Sequence, residues 1–142
     1  MKLTSRFGLI LSVIILVLVS CKAQQQVEMK SKELINQKYI ITHIADKQLE
    51  DSNLTLKVNT ENSTISGFSG CNNFSYNYKL DNGVLDLGYA MATKMYCEDE
   101  MNIENLFFKT TSSVAQFENS NEQIILKSEG GDILRKAKKN DS

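Results

Sequence analysis

The segment Ser66-Gly67-Phe68-Ser69-Gly70-Cys71-Asn72-Asn73-Phe74 sets two glycines and a cysteine between two runs of alternating residues. Gly67 and Gly70 allow positive φ or a close backbone approach that a side chain would forbid, so a shaped corner is expected here. On the way in, Thr64 to Ser69 alternates through Ile65 and Phe68, with Gly67 as the site of a bulge. On the way out, Phe74-Ser75-Tyr76-Asn77-Tyr78-Lys79-Leu80 puts Phe74, Tyr76, Tyr78 and Leu80 on one face. Period-two alternation of this kind predicts strands with one face on a core and the other in water. Asp81-Asn82-Gly83 then predicts a tight hairpin, since Asn and Gly accept the φ values such turns demand, and Val84 to Gly88 is the return strand.

The same pattern extends in both directions. Upstream, Tyr39 to Ile44 is rich in β-branched and aromatic residues and stops at Ala45-Asp46-Lys47, and Leu54, Leu56 and Val58 alternate with polar neighbours. Downstream, Met91 to Met95 is a short extended piece that delivers Cys97, the counterpart of Cys71. Glu98-Asp99-Glu100 precede a helix, since acids suit the positive end of the peptide dipoles. Ile103, Leu106, Phe107, Thr110 and Val114 form its apolar stripe, which should lie against the sheet. Val114 to Glu118 leaves as a strand, and Gln123 to Lys127 and Ile133 to Arg135 make a closing hairpin around Glu129-Gly130-Gly131-Asp132. The chain has no Pro, so Gly, Asn, Asp and Ser must make its turns.

The first 20 residues read as an export signal. Lys2 and Arg6 precede an apolar run of thirteen residues, Phe7 to Val19. That run is shorter than the roughly 20 residues of a spanning helix. It ends in Leu18-Val19-Ser20-Cys21, which resembles the bacterial lipobox; the resemblance implies that Cys21 carries a diacylglyceryl thioether and anchors the protein stably. Residues 21–32 follow as a tether that could hold the domain up to roughly 35 Å from the bilayer. The expected location is the cell envelope, lipid-anchored, with Lys22 after the cysteine favouring the outer membrane. Residues 33–138 form the folded domain and 139–142 a disordered tail.

Among 142 residues the net charge is −1, moving to −3 once Lys2 and Arg6 are removed. A nucleic-acid binder needs a clustered basic face, which this balance argues against. The basic run Arg135-Lys136-Lys138-Lys139 is read as a solvated C-terminal stretch.

Of three cysteines, Cys71 and Cys97 remain in the domain, and export delivers them to an oxidising compartment. A disulfide between them would stabilise the fold by about 3.5 kcal/mol through loop closure. Free thiols and a metal site are the alternatives. With His43 as the sole histidine a four-ligand zinc set is hard to assemble, so no metal and no cofactor are expected. A Cys/His43 nucleophile pair is formally available but would need an unbridged cysteine. Gly67-Phe68-Ser69-Gly70-Cys71 lacks the final glycine of a nucleophile elbow. Glu98, Asp99 and Glu100 lack the spacing of a calcium loop. Phe68, Phe74, Tyr76, Tyr78 and Phe107 either fill the core or line an apolar ligand pocket. Nothing here assembles a catalytic site.

Ser69-Gly70-Cys71-Asn72-Asn73-Phe74, Thr93-Lys94-Met95-Tyr96-Cys97, an acidic helix with Leu106-Phe107 and paired strands near the end together resemble the META domain of HslJ-like heat-shock lipoproteins. The resemblance covers roughly residues 33–136. Tyr39 departs from it where members often carry Trp, and Tyr96 where a small residue commonly precedes the second cysteine. It implies a mainly β (α+β) fold: a small antiparallel, barrel-like sheet of about 7–8 strands with one helix packed on or across it. Members are associated with heat shock, antibiotic resistance and motility without an established catalytic activity, and together with the export signal and Cys21 the expectation is a non-enzymatic, monomeric envelope lipoprotein linked to stress or antibiotic tolerance. The alternatives are a carrier of a lipid or small apolar ligand in a half-open barrel, and a docking or inhibitor module for another envelope protein.

Overall fold

Alternation along the chain resolves into a meander of antiparallel strands in the computed structural model, which describes residues 33–141. Cys21, the signal and the tether lie outside the described residues. The strands are β1 (Gln37–Ile44), β2 (Lys47–Gln48), β3 (Thr55–Asn59), β4 (Thr64–Phe68), β5 (Asn73–Asp81), β6 (Val84–Leu87), β7 (Met91–Ala92), β8 (Gln116–Asn119), β9 (Gln123–Lys127) and β10 (Ile133–Lys139). The helix α1 (Met101–Thr111) falls between β7 and β8. Eight strands run in the order β6-β5-β4-β3-β1-β10-β9-β8, with β2 attached to β1 and β7 to β5. The two ends of that path nearly meet: Leu85 N in β6 donates to Ala115 O, just ahead of β8, at 2.8 Å. The expected barrel-like antiparallel sheet with a single helix is therefore what forms.

Inward-facing residues supply the core. Tyr39 and Ile41 on β1, Leu56 and Val58 on β3, Ile65 on β4, Phe74 and Tyr76 on β5, Leu85 on β6 and Ile124 and Leu126 on β9 are buried. Each such side chain stabilises the fold by about 1.5–3 kcal/mol. The hairpin between β5 and β6 turns as expected, with Asn82 at φ 50° and Gly83 at φ 84°. Leu80, which the alternation puts with the aromatics, lies near the tip of this hairpin and is exposed.

Four expectations are corrected. Gly67 is not a bulge, because it pairs in register with Leu56 on one side and Phe74 on the other. The register breaks fall between Ile41 and His43 opposite β10, and between Ile133 and Arg135 opposite β9. Arg135 is not on a solvated stretch: β10 lies between β1 and β9, and alternation turns Arg135 and Ala137 inward, each 2% exposed. The strand continues to Lys139, which pairs with Tyr39, and Asn140 N donates to Lys38 O at 2.9 Å, so the ordered chain passes the expected boundary. The helical stripe is also rotated, since the fully buried face is Glu104, Phe107 and Thr111, and Val114 is buried beyond the helix end.

Candidate functional site

At the end of β4 the chain must turn back within four residues to start β5, and Gly70 makes this possible at φ 107°. Ser69 N donates to Asn72 O at 2.9 Å, closing the corner. Asn72 is then buried and fully used. Its Nδ2 donates to Glu104 Oε2 at 2.9 Å and to Met95 O at 3.2 Å, while its Oδ1 accepts from Thr93 Oγ1 at 2.7 Å and Met95 N at 2.8 Å. Two donors and two acceptors exhaust an amide side chain.

Glu104, in the first turn of α1, is the centre of the arrangement. Only 5% exposed, its carboxylate accepts from Asn72 N at 3.1 Å, from Asn72 Nδ2, and from the Ser69 hydroxyl. Hydrogen bonds to an ionised acceptor are about twice as strong as neutral ones, and a carboxylate at a helix start also faces the positive end of the dipole. The Cys71–Cys97 disulfide, spanning 26 positions, joins the same corner to the segment entering the helix, and Met101 N donates to Cys97 O at 3.1 Å. Corner, incoming segment and helix start are thus one hydrogen-bonded, covalently closed unit.

The other end of the helix is held by Arg135. Its guanidinium lies 3.9 Å from the Phe107 ring centroid and donates to Phe107 O at 3.0 Å, Thr111 Oγ1 at 2.8 Å and Thr110 Oγ1 at 3.3 Å. A cation at a helix C-terminus is favoured by the dipole, and the aromatic face adds to it. Burial lowers the Arg135 pKa from the ordinary guanidinium range to about 10, so it remains charged at neutral pH. Its Nε and the Tyr39 hydroxyl have no hydrogen-bond partner among the described residues.

Burial pushes the Tyr39, Tyr76 and Tyr78 phenols above their ordinary value of 10.0; for Tyr76 this outweighs the opposing effects of the Thr111 hydrogen bond and the Arg135 charge. A folded pKa above the unfolded one gives stability that is complete below the unfolded value and is lost as pH rises through the folded one. Arg135 acts the opposite way over the same alkaline range, one group against three. Urea midpoints followed by circular dichroism should therefore fall as pH is raised from 9 to 11. A flat profile would contradict this assignment.

The expected site residues are distributed as follows. Cys71 and Cys97 are bridged. Phe74, Tyr76, Tyr78 and Phe107 are buried, and Phe68 is half-buried at the end of β4. The Phe74 ring lies 4.7 Å from Phe107 and 5.7 Å from Tyr76, centroid to centroid. His43 lies in a shallow cleft with Asp46, Asp132 and Lys136, and its Nδ1 is 3.1 Å from Thr42 Oγ1. Glu98 and Asp99 are exposed, and Glu100, at the helix start, makes no side-chain cap. Among the described residues no cluster of His, Cys, Asp or Glu could hold a metal ion, and no helix is long and apolar enough to cross a membrane.

Sequence reasoning missed Glu104, Asn72 and Arg135. The signals were faint: Glu104 shares the i, i+3, i+7 row with Phe107 and Thr111, and Arg135 alternates with Ala137. Ser69 and Glu104 have the makings of a nucleophile and a base, but Ser69 is fully buried and the carboxylate is taken up by donors from the corner. Such a geometry holds two elements together.

Breaking the disulfide should cost about 3.5 kcal/mol. The paired Cys71→Ala/Cys97→Ala variant should show this as a lower guanidinium midpoint with an unchanged fold by circular dichroism. A loss below about 1 kcal/mol would mean that the Glu104 hydrogen bonds hold the corner alone.

A family profile described as META domain matches residues 32–141. Among solved structures, the NMR structure of a protein from Burkholderia xenovorans is similar at TM-score 0.61 and 22% identity, covering 77% of this chain and 85% of that one. A second NMR structure is similar at TM-score 0.58 and 26% identity, over 78% of this chain and 95% of the other. The crystal structure of a DUF4847 family protein from Bacteroides vulgatus ATCC 8482 shares the fold at TM-score 0.52 and 9% identity, covering 75% and 94%. The chain matches no curated protein.

Proposed function

This chain belongs to the META domain family, and from that premise we propose that it is a non-enzymatic lipoprotein of the bacterial cell envelope. Cys21 tethers it to the membrane, the outer membrane by preference, and the domain serves stress or antibiotic tolerance by binding another molecule. The observation that carries this reading is how the fold uses its reactive groups. The two cysteines of the domain are joined, and the buried Glu104 carboxylate is engaged with Ser69 and Asn72. These residues are mechanical parts of a clamp on the helix. The carrier alternative receives less support, because Phe74, Tyr76 and Phe107 are packed against one another.

The test uses the full chain in its native host, fed an alkyne-tagged fatty acid and then fractionated. The expected result is acyl label on the protein in the envelope fraction, loss of both in Cys21→Ser, and reduced survival of heat or antibiotic challenge in cells with only that variant. Unlabelled protein in the soluble fraction, or wild-type survival with Cys21→Ser, would overturn the reading.

A further inference from the structure

Seven large hydrophobic residues are exposed among the described residues, and four of them, Tyr89, Met91, Met95 and Tyr96, fall in the short connection between β6 and α1. Tyr89 is 99% and Tyr96 78% exposed. Singly exposed apolar residues are ordinary, but a concentration in one segment marks an interaction surface.

The segment is held rather than loose. Gly88 N donates to Asn77 O at 2.9 Å at one end, and Cys97 is bridged to Cys71 at the other. Between them Ala92 and Met91 pair with Phe74 and Ser75, Thr93 N donates to Asn73 O at 3.1 Å, and Met95 N donates to Asn72 Oδ1 at 2.8 Å. The inner edge of this extended piece is therefore occupied. In an extended chain successive amides face opposite edges, so the N–H of Lys94, between Thr93 and Met95, faces outward. No strand is paired to that outer edge of β7 among the described residues. Sheets commonly protect such an edge with several charges or a proline; here Lys94 is the one charged residue between Gly88 and Cys97.

The charge around the strip selects among occupants. Glu98, Asp99 and Glu100 follow it directly, and Asp86 precedes it on β6. Three acids beside the apolar residues oppose an anionic membrane surface. A second copy would present the same acids and the same lone lysine, with no complementary charge. An extended peptide with apolar side chains and Lys or Arg satisfies the open edge, the exposed rings and the acids together, as in recognition by strand addition.

We propose that residues 88–97 are a docking edge that takes, as an added strand, an extended segment of another envelope protein with apolar side chains and basic residues set toward Glu98, Asp99 and Glu100. The compartment of that partner rests on the function proposed above; the edge and its chemistry do not.

The experiment places the photo-crosslinker p-benzoylphenylalanine at Tyr89, at Tyr96, or at the exposed Lys138 on β10, four strands away from β5 in the sheet order, in the full chain in intact cells. The proposal expects adducts at positions 89 and 96 but not 138, with the crosslinked peptide carrying alternating apolar side chains and at least one Lys or Arg. It expects a tenfold or greater loss of adduct in Lys94→Pro, which removes an outward donor, and in the triple reversal Glu98→Lys/Asp99→Lys/Glu100→Lys. Wild-type thermal melting is the criterion for counting either variant. Should both melt early, Met91→Lys/Met95→Lys, which alters only exposed side chains, replaces them with the same expectation. An adduct to a second copy, a lipid adduct, equal yield at Lys138, adducts indifferent to the variants, or no adduct would each overturn it. Fractionation of the same cells separates the two readings. A peptide of the stated chemistry bound to protein outside the envelope removes the envelope reading alone, and envelope protein without adducts removes the docking edge alone.

Discussion

Replacing Glu104 with alanine is expected to destabilise the domain by about 2–5 kcal/mol, a large part of the 5–15 kcal/mol typical of such folds. The loss has two sources. The Asn72 backbone N–H and one Asn72 Nδ2 N–H lose their buried acceptor, each unpaired donor costing about 1–3 kcal/mol, whereas the Ser69 hydroxyl keeps Asn72 O at 2.8 Å. The helix also loses the carboxylate that ties its first turn to the corner. Glu104→Gln keeps the shape and one acceptor, and should fall between alanine and the native residue. Denaturant titration of the three proteins measures this directly. An alanine variant within about 1 kcal/mol of the native protein would show that the carboxylate does not hold the helix.

Gly67→Ala is expected to destabilise by about 4–5 kcal/mol or to prevent folding, at the extreme of single substitutions. Space is the reason, since φ is ordinary here. A Cβ at position 67 would lie 2.0 Å from Thr55 O and 2.7 Å from Thr55 C, both backbone atoms of the paired strand, and 3.1 Å from Phe74 Cζ. A flexible side chain could retreat, but β3 cannot do so without giving up its pairing on both edges. Gly83→Ala is the control. It meets nothing within 4 Å, and its φ of 84° makes the penalty a backbone preference of about 1–2 kcal/mol. Equal losses at the two positions would refute the steric account.

Much of the fold was legible in local pattern. The alternation through Leu54, Leu56 and Val58, the Asn82-Gly83 turn and the acidic start of the helix each carry their information within a few residues, so each emerged as expected. The pairing of Cys71 with Cys97 was legible for a different reason: only two cysteines remained in the domain. The corner was legible as a corner, but the purpose of Gly67 was not. Its constraint comes from Thr55, twelve positions away in the chain, and a close approach by a distant backbone leaves no mark beyond the glycine itself.

By itself the sequence determined the strands, the turns, the helix and the family to which they belong, because backbone preference and period-two burial act over neighbouring residues. Only the tertiary structure decided which charged residues are interior. Arg135 reads as one of a run of bases, yet the insertion of β10 between β1 and β9 turns it inward beneath the helix. Glu104 falls outside the apolar stripe of Ile103, Leu106, Phe107, Thr110 and Val114, yet the corner brings it three donors. A buried charge is tolerable only when hydrogen-bond donors or acceptors distant in the chain converge on it, and that convergence exists only once the barrel has nearly closed.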